Sequence, residues 1–229
     1  MYKITTIQKA VNLMKEAAAV LEKLPIENIK LCISTGNKKI GHVMNVSLAP
    51  VISCGNCSGC MHYCYDIGDV LLREVVLWAR MRNWVILNKD REEYFRRIEL
   101  AISRRRKNFY FRWHVGGEIP DYDYFCRIVD IARRYPKFIF WTYTKMYWFV
   151  NRWCDENGGR DALPDNLKVM FSEWRGMPID NPYGFPVFTV RFKGEDFLPD
   201  MYICPGNCDI CKAACRGCVV GESVQAREH

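Results

Sequence analysis

Near the start of the chain, apolar residues recur at helical spacing (Ile7, Val11, Met14, Ala18, Leu21), with a threonine available as N-cap and Pro25 beyond the end. The spacing predicts an amphipathic helix over residues 6–24, packed on the outside of a core. Residues 43–48 alternate in twos instead, after the turn-forming Gly36-Asn37 and Gly41. They predict a strand that delivers the chain to Cys54. Helices are expected over residues 70–88 and 91–106, the second opened by Asp90 with Glu92 and Glu93 in its first turn.

From there the two periods alternate regularly: strand 109–115, helix 122–135, strand 138–143, helix 146–157, strand 167–173 and strand 186–192. That order predicts an α/β protein with a parallel sheet covered by helices, either open or curled into a partial barrel. No fixed-period repeat or low-complexity linker interrupts it. We therefore expect one domain over residues 1–200, containing a cysteine run at 54–64, with residues 201–229 packed on it as a cysteine-rich extension.

The 229 residues are 49% hydrophobic, enough to bury a full core. The first residues lack the basic stretch and apolar run of a secretory signal, and even the aromatic stretch 138–150 is short and carries Lys145. A soluble, cytoplasmic protein without a membrane partner is expected. In that reducing compartment twelve cysteines read as metal ligands or catalytic groups rather than disulfides. The isolated Cys32, Cys126 and Cys154 read as buried structural thiols.

Two runs hold the other nine. Cys54, Cys57, Cys60 and Cys64 have the spacing C-x2-C-x2-C-x3-C, and Gly55 and Gly59 permit a tight loop. Bacterial ferredoxins share this spacing, although Tyr65 stands here where they have proline. Cys204, Cys208, Cys211, Cys215 and Cys218 form the second run, which begins C-x3-C-x2-C. Together they suffice for two [4Fe–4S] clusters, or for one shared cluster. Zinc is the alternative metal, because C-x2-C pairs are also common structural zinc ligands. Four cysteines within eleven residues favour iron.

Beyond the metal, Arg112, His114, Gly116, Gly117 and Glu118 cluster at the end of a predicted strand, the usual ligand rim of α/β folds. Two-residue alternation would put Arg112 and His114 on one face. Gly116 and Gly117 would let backbone approach a ligand, and Glu118 would suit an amine; the plainer alternative is a turn with a solvated acid. Lys145, after Thr142-Tyr143-Thr144, suits an anionic group, and Ser172-Glu173-Trp174 ends the following strand. Capping and solvation explain the same residue types.

The formal net charge of +7 points toward nucleic acid, but deprotonated cysteine ligands would cancel part of it. Arg104-Arg105-Arg106-Lys107 reads as a cationic helix end that complements the dipole, with a phosphate-binding patch as the other reading. Trp78, Trp84, Trp113 and Trp141 are expected in the core.

One resemblance runs through Asn37-Lys-Lys-Ile-Gly41, Ser47-Leu48, the run from Cys54 to Tyr65, Arg112-Trp-His114-Val-Gly116-Gly117-Glu118, Phe140-Trp-Thr-Tyr-Thr-Lys145, Leu163-Pro-Asp-Asn166 with Ser172, and Cys204-Pro205 to Cys211. In these segments the chain resembles the phage proteins called gene product eighty-eight, themselves similar to radical S-adenosylmethionine (SAM) enzymes. The resemblance implies a partial (β/α)6 TIM-like barrel with an N-terminal helix. It also implies a [4Fe–4S] cluster on three cysteines, SAM on the open iron, and Gly116-Gly117-Glu118 contacting the SAM amine.

Arg112, His114 and Lys145 are then the remaining candidate cofactor contacts, and an electron donor and a substrate are the implied partners. The sequence departs from that pattern at its first run, where C-x2-C-x3-C, with Tyr63 before Cys64, replaces C-x3-C-x2-C.

Three functions follow. The first is a radical SAM-like redox enzyme. The second is an electron-transfer or structural iron–sulfur protein that does not use SAM, and the third a zinc-stabilised nucleic-acid-binding protein. Protein prepared without oxygen is expected to be brown and to contain iron and acid-labile sulfide on elemental analysis. Zinc without iron would displace the cluster reading.

Overall fold

Two compact units share the chain, and the backbone passes between them repeatedly. The first comprises Met1–Ile33, Val46–Arg106 and His114–Pro120; the second comprises Ser34–Asn45, Lys107–Trp113 and Asp121–His229. The structure, a computed structural model, describes residues 1–36, 40–55, 59–207 and 220–228.

The first unit is built on α1 (Ile4–Glu22), α2 (Tyr65–Leu72), α3 (Glu74–Lys89) and α4 (Arg91–Ser103). The helical period is met in α1, which buries Ile7, Met14 and Leu21 as expected, but Ala10 and Ala17 rather than the half-buried Val11 and Ala18. Leu77, Met81 and Val85 of α3 and Tyr94, Phe95, Ile98 and Ile102 of α4 complete the apolar core. Asp90 caps α4 as the sequence predicts, its side chain accepting the Glu93 N–H at 2.9 Å. The basic run follows directly on this helix, with Arg104 at the C-cap.

One helix boundary differs from expectation. Residues 70–88 are not a single helix: Arg73 is extended (φ −132°, ψ 99°) and separates α2 from α3. Arginine is a good helix former, so local preference does not produce this break and tertiary packing must. At the other end α2 starts earlier than predicted, directly after Cys64. Within α3, Asn83 is buried and its amide is fully used. It accepts from Cys32 N–H at 2.8 Å and donates to the carbonyls of Cys32 and Ser47, each at 2.9 Å.

The strands are β1 (Ile33–Ser34), β2 (Met44–Val46), β3 (Tyr110–Trp113), β4 (Ile139–Thr144), β5 (Leu167–Glu173), β6 (Val187–Arg191), β7 (Tyr202–Ile203) and β8 (Val224–Arg227). They form one sheet in the order β1-β2-β3-β4-β5-β6-β8-β7, which does not close on itself. The pairings from β3 through β6 to β8 and β7 are parallel. In the second unit α5 (Tyr122–Arg134) and α6 (Tyr147–Asn157) supply the crossovers that parallel pairing requires.

Aromatic rings fill the layer between these helices and the sheet. Trp113 meets Tyr124 at 6.0 Å, Tyr147 meets Phe171 at 4.8 Å, and Phe125 meets Trp153 at 6.4 Å. Trp113 and Trp141 are buried, whereas Trp78 and Trp84 are partly exposed. Among the described residues no helix is long and apolar enough to cross a membrane.

The C-terminal region contributes more to the sheet than its cysteine content suggests. β8 lies between β6 and β7, so a late stretch of chain becomes an interior strand. Its Gln225 is fully buried and satisfied: it accepts from Leu198 N–H at 2.8 Å and donates to the carbonyls of Leu198 and Met201 at 2.7 and 2.8 Å. Gln225→Leu strips all three bonds while keeping side-chain bulk. It is expected to cost about 2–3 kcal/mol of stability in a urea titration.

Candidate functional site

After β3 the backbone leaves the strand region. His114 has φ 55° and Gly117 φ 77°, both left-handed. The two-residue alternation therefore stops at Trp113, and the shared face expected for Arg112 and His114 does not follow from it. Residues 114–118 form a turn in the first unit whose backbone groups are taken up by the segment leading to Cys54.

His114 N–H donates to Val46 O at 2.9 Å, and Leu48 N–H to Gly116 O at 3.0 Å. Ser47 Oγ accepts from both Val115 and Gly116 N–H, each at 3.2 Å. Ser53 Oγ accepts from Glu118 N–H at 3.1 Å while donating to Ala49 O at 2.8 Å.

Both glycines are demanded by close approach. A Cβ on Gly116 would lie 1.8 Å from Asp66 Oδ2, and one on Gly117 would lie 2.7 Å from Leu48 O and 2.8 Å from Ser53 Oγ. Glu118 is not the solvated acid of the plainer expectation. It is buried, with Oε1 accepting from Ile119 N–H at 2.9 Å.

The cysteine run occupies the loop between these anchors and α2. Cys54 is partly buried, Cys60 begins a one-turn 3-10 helix (Cys60–Tyr63), and Cys64 immediately precedes α2. Burial pushes the Cys64 thiol up to about 12, and the neighbouring charges of Asp66 and Cys54 add to the effect. Without a cation beside it this sulfur keeps its proton.

The two residues after Cys64 both return to the turn. Tyr65 OH donates to Val115 O, and Asp66 lies under Gly116, held by Arg80 Nε and Nη2 at 3.0 and 2.9 Å. Asp66 holds the Arg80 guanidinium above its ordinary range although burial opposes the charge. At the loop's far side, Tyr2 N–H donates to His62 O at 2.5 Å and His62 Nδ1 lies 2.9 Å from Tyr2 O.

The remaining candidates are distributed as follows. Cys57, Cys208, Cys211, Cys215 and Cys218 lie outside the described residues. Arg112, Lys145 and Cys204 belong to the second unit. There the Arg112 guanidinium lies 4.9 Å from the Tyr143 ring centroid, and Lys145 Nζ donates to Ser172 Oγ at 2.8 Å. Cys204 N–H donates to Gln225 O at 2.7 Å.

Of the three isolated cysteines only Cys154 is fully buried; Cys32 and Cys126 are partly exposed. No described cysteine is in a disulfide. Among the described residues no group of three or more His, Cys, Asp or Glu side chains is placed to hold a metal ion. Cys54, Cys60 and Cys64 are all described and do not form such a group.

Sequence reasoning missed the supports of this site. Ser53, Tyr65 and the Asp66–Arg80 pair carry no motif, and only their places beside Cys54 and Cys64 could have marked them. Residues 19–175, well over half of the chain, match the family model described as Gene product 88. No curated protein and no solved structure matches the chain.

Gly116→Ala drives a methyl into the buried ion pair and is expected to cost on the order of 3 kcal/mol by chemical denaturation. Gly158→Ala has open space around it and only backbone strain, so about 1 kcal/mol is expected from the same measurement.

Proposed function

The chain belongs to the gene product 88 family, and we propose that it is an iron–sulfur protein working as a radical SAM-like redox enzyme. The observation that carries this reading is that both ends of the first cysteine run are fastened to the Gly-Gly-Glu turn. Ser53, before Cys54, takes the Glu118 N–H, and Tyr65, after Cys64, bonds the Val115 carbonyl. Two segments singled out by their chemistry, more than 50 residues apart, thus meet in one place.

The donor chemistry suits iron. Cys54, Cys57, Cys60 and Cys64 offer soft thiolates from a single short loop, and the burial around Cys64 favours a thiolate only when a cation compensates it. Three of them would hold the cluster and leave one iron open. When bound, a [4Fe–4S] cluster supplies single electrons, and with SAM on its open iron it supplies a 5′-deoxyadenosyl radical.

The chain's own contribution is placement. Ser47 and Ser53 fix the turn, and Glu118 lies on it as a buried carboxylate suited to an amine. In the second unit Arg112 and Lys145 suit an anionic group, and the open, mainly parallel sheet suits the partial barrel on which such enzymes are built. Cys204 and the cysteines after it would serve a second cluster.

A second reading has its own support. The N–H groups of Val115, Gly116 and Glu118 and the carbonyls of Val115 and Gly116 are all engaged by neighbouring residues. A turn so occupied serves well as a buttress, which favours an electron-transfer or structural cluster without SAM.

Calorimetry separates the two readings. Cluster-loaded protein is expected to bind SAM, and Glu118→Gln to weaken that binding about tenfold, the worth of one charge-assisted hydrogen bond. A loaded protein that gives no heat with SAM leaves the second reading.

A further inference from the structure

The turn does more than lie near the cysteine run: it sits between the two ends of it. On one side Gly117 is pressed against Ser53, close enough that a Cβ would come within 2.8 Å of Ser53 Oγ. On the other, Gly116 rests on the Asp66 carboxylate, and Tyr65 OH grips the Val115 carbonyl. Ser53 is the chain neighbour of Cys54 and Tyr65 is the chain neighbour of Cys64. Each anchoring residue is therefore joined by a single peptide bond to a candidate ligand, so fastening its side chain limits where that ligand's backbone can stand.

The turn itself has no freedom to follow a moving loop. Ser47 holds two of its N–H groups, and the Asp66–Arg80 pair, with Asp66 1% exposed, fills the space beneath it. Moving the turn would expose or unpair that charge, which is costly.

We infer that the 115–118 turn is a template that fixes the separation of the first and last thiolates of the run, with Ser53 and Tyr65 as positioning residues acting through Cys54 and Cys64. The inference rests on the iron–sulfur reading. It makes Cys54 and Cys64 the fixed ligands of the run.

Tyr65→Phe removes only the hydroxyl, and Ser53→Ala removes the acceptor for Glu118 N–H together with the donor to Ala49 O. Both are compared with wild-type protein, each reconstituted with iron and sulfide without oxygen. The readouts are cluster loss to the ferrous chelator bathophenanthroline, the low-temperature electron paramagnetic resonance spectrum of the reduced cluster, and its midpoint potential.

Each variant is expected to keep the circular dichroism spectrum of the wild type. Each should lose iron about tenfold faster, the usual scale for removing a group that orients a ligand, and show shifted resonance positions. Wild-type lifetimes and spectra in both variants would overturn the inference while leaving the iron–sulfur reading intact. A wild-type protein that takes up no iron and sulfide would overturn the reading and the inference together.

Discussion

A buried carboxylate organises the first unit. Asp66 is withdrawn from water, so its charge has to be met, and Arg80 meets it with two near-parallel hydrogen bonds from α3. That pairing fixes α2 against α3 across the extended Arg73. It also fills the volume in which any side chain at position 116 would stand. The identity of Gly116, the height of the turn and the direction in which the chain leaves Cys64 are therefore one constraint seen from three sides. Removing the charge would free the turn, and removing the glycine would break the charge pair.

The second unit is held by different means. Its parallel strands are staggered by crossovers through α5 and α6, and its interior is aromatic rather than ionic. Among its buried polar groups is Gln225, whose amide closes the loop at residues 198–201 onto an interior strand. Here, as at Asn83 in the first unit, a buried amide is tolerated because donor and acceptor capacity are both spent.

Much of the fold is legible in the sequence because it is carried by period and caps. The spacing of Ile7, Met14 and Leu21, the capping aspartate at 90, and the alternation from residue 109 to 192 all place elements within a few residues of where they lie. What stays illegible is set by partners distant in sequence. Arg73 is extended against its propensity, and His114 takes a left-handed conformation that no local signal announces.

Asp66 finds its partner fourteen residues on, and β8 is too short and too polar in sequence (Val-Gln-Ala-Arg) to read as an interior strand. At the site, the Gly-Gly-Glu motif and the cysteine spacing are visible at once. Their fastening is not, because serine and tyrosine are common residues whose importance lies in what they touch.

The position of β8 has a bearing on the order of events. β7 is formed by residues 202–203, and its pairing partner is β8, at residues 224–227. Until that later strand is in place, β7 has no neighbour to pair with. The cysteines from 204 to 218 lie in sequence between these two strands, so completing the sheet edge also closes the segment that carries them. Bringing two distant stretches of chain together costs an entropy that grows only slowly with the length of chain between them. Pairing of β7 with β8 is therefore a non-local contact, formed only once that closure cost has been met.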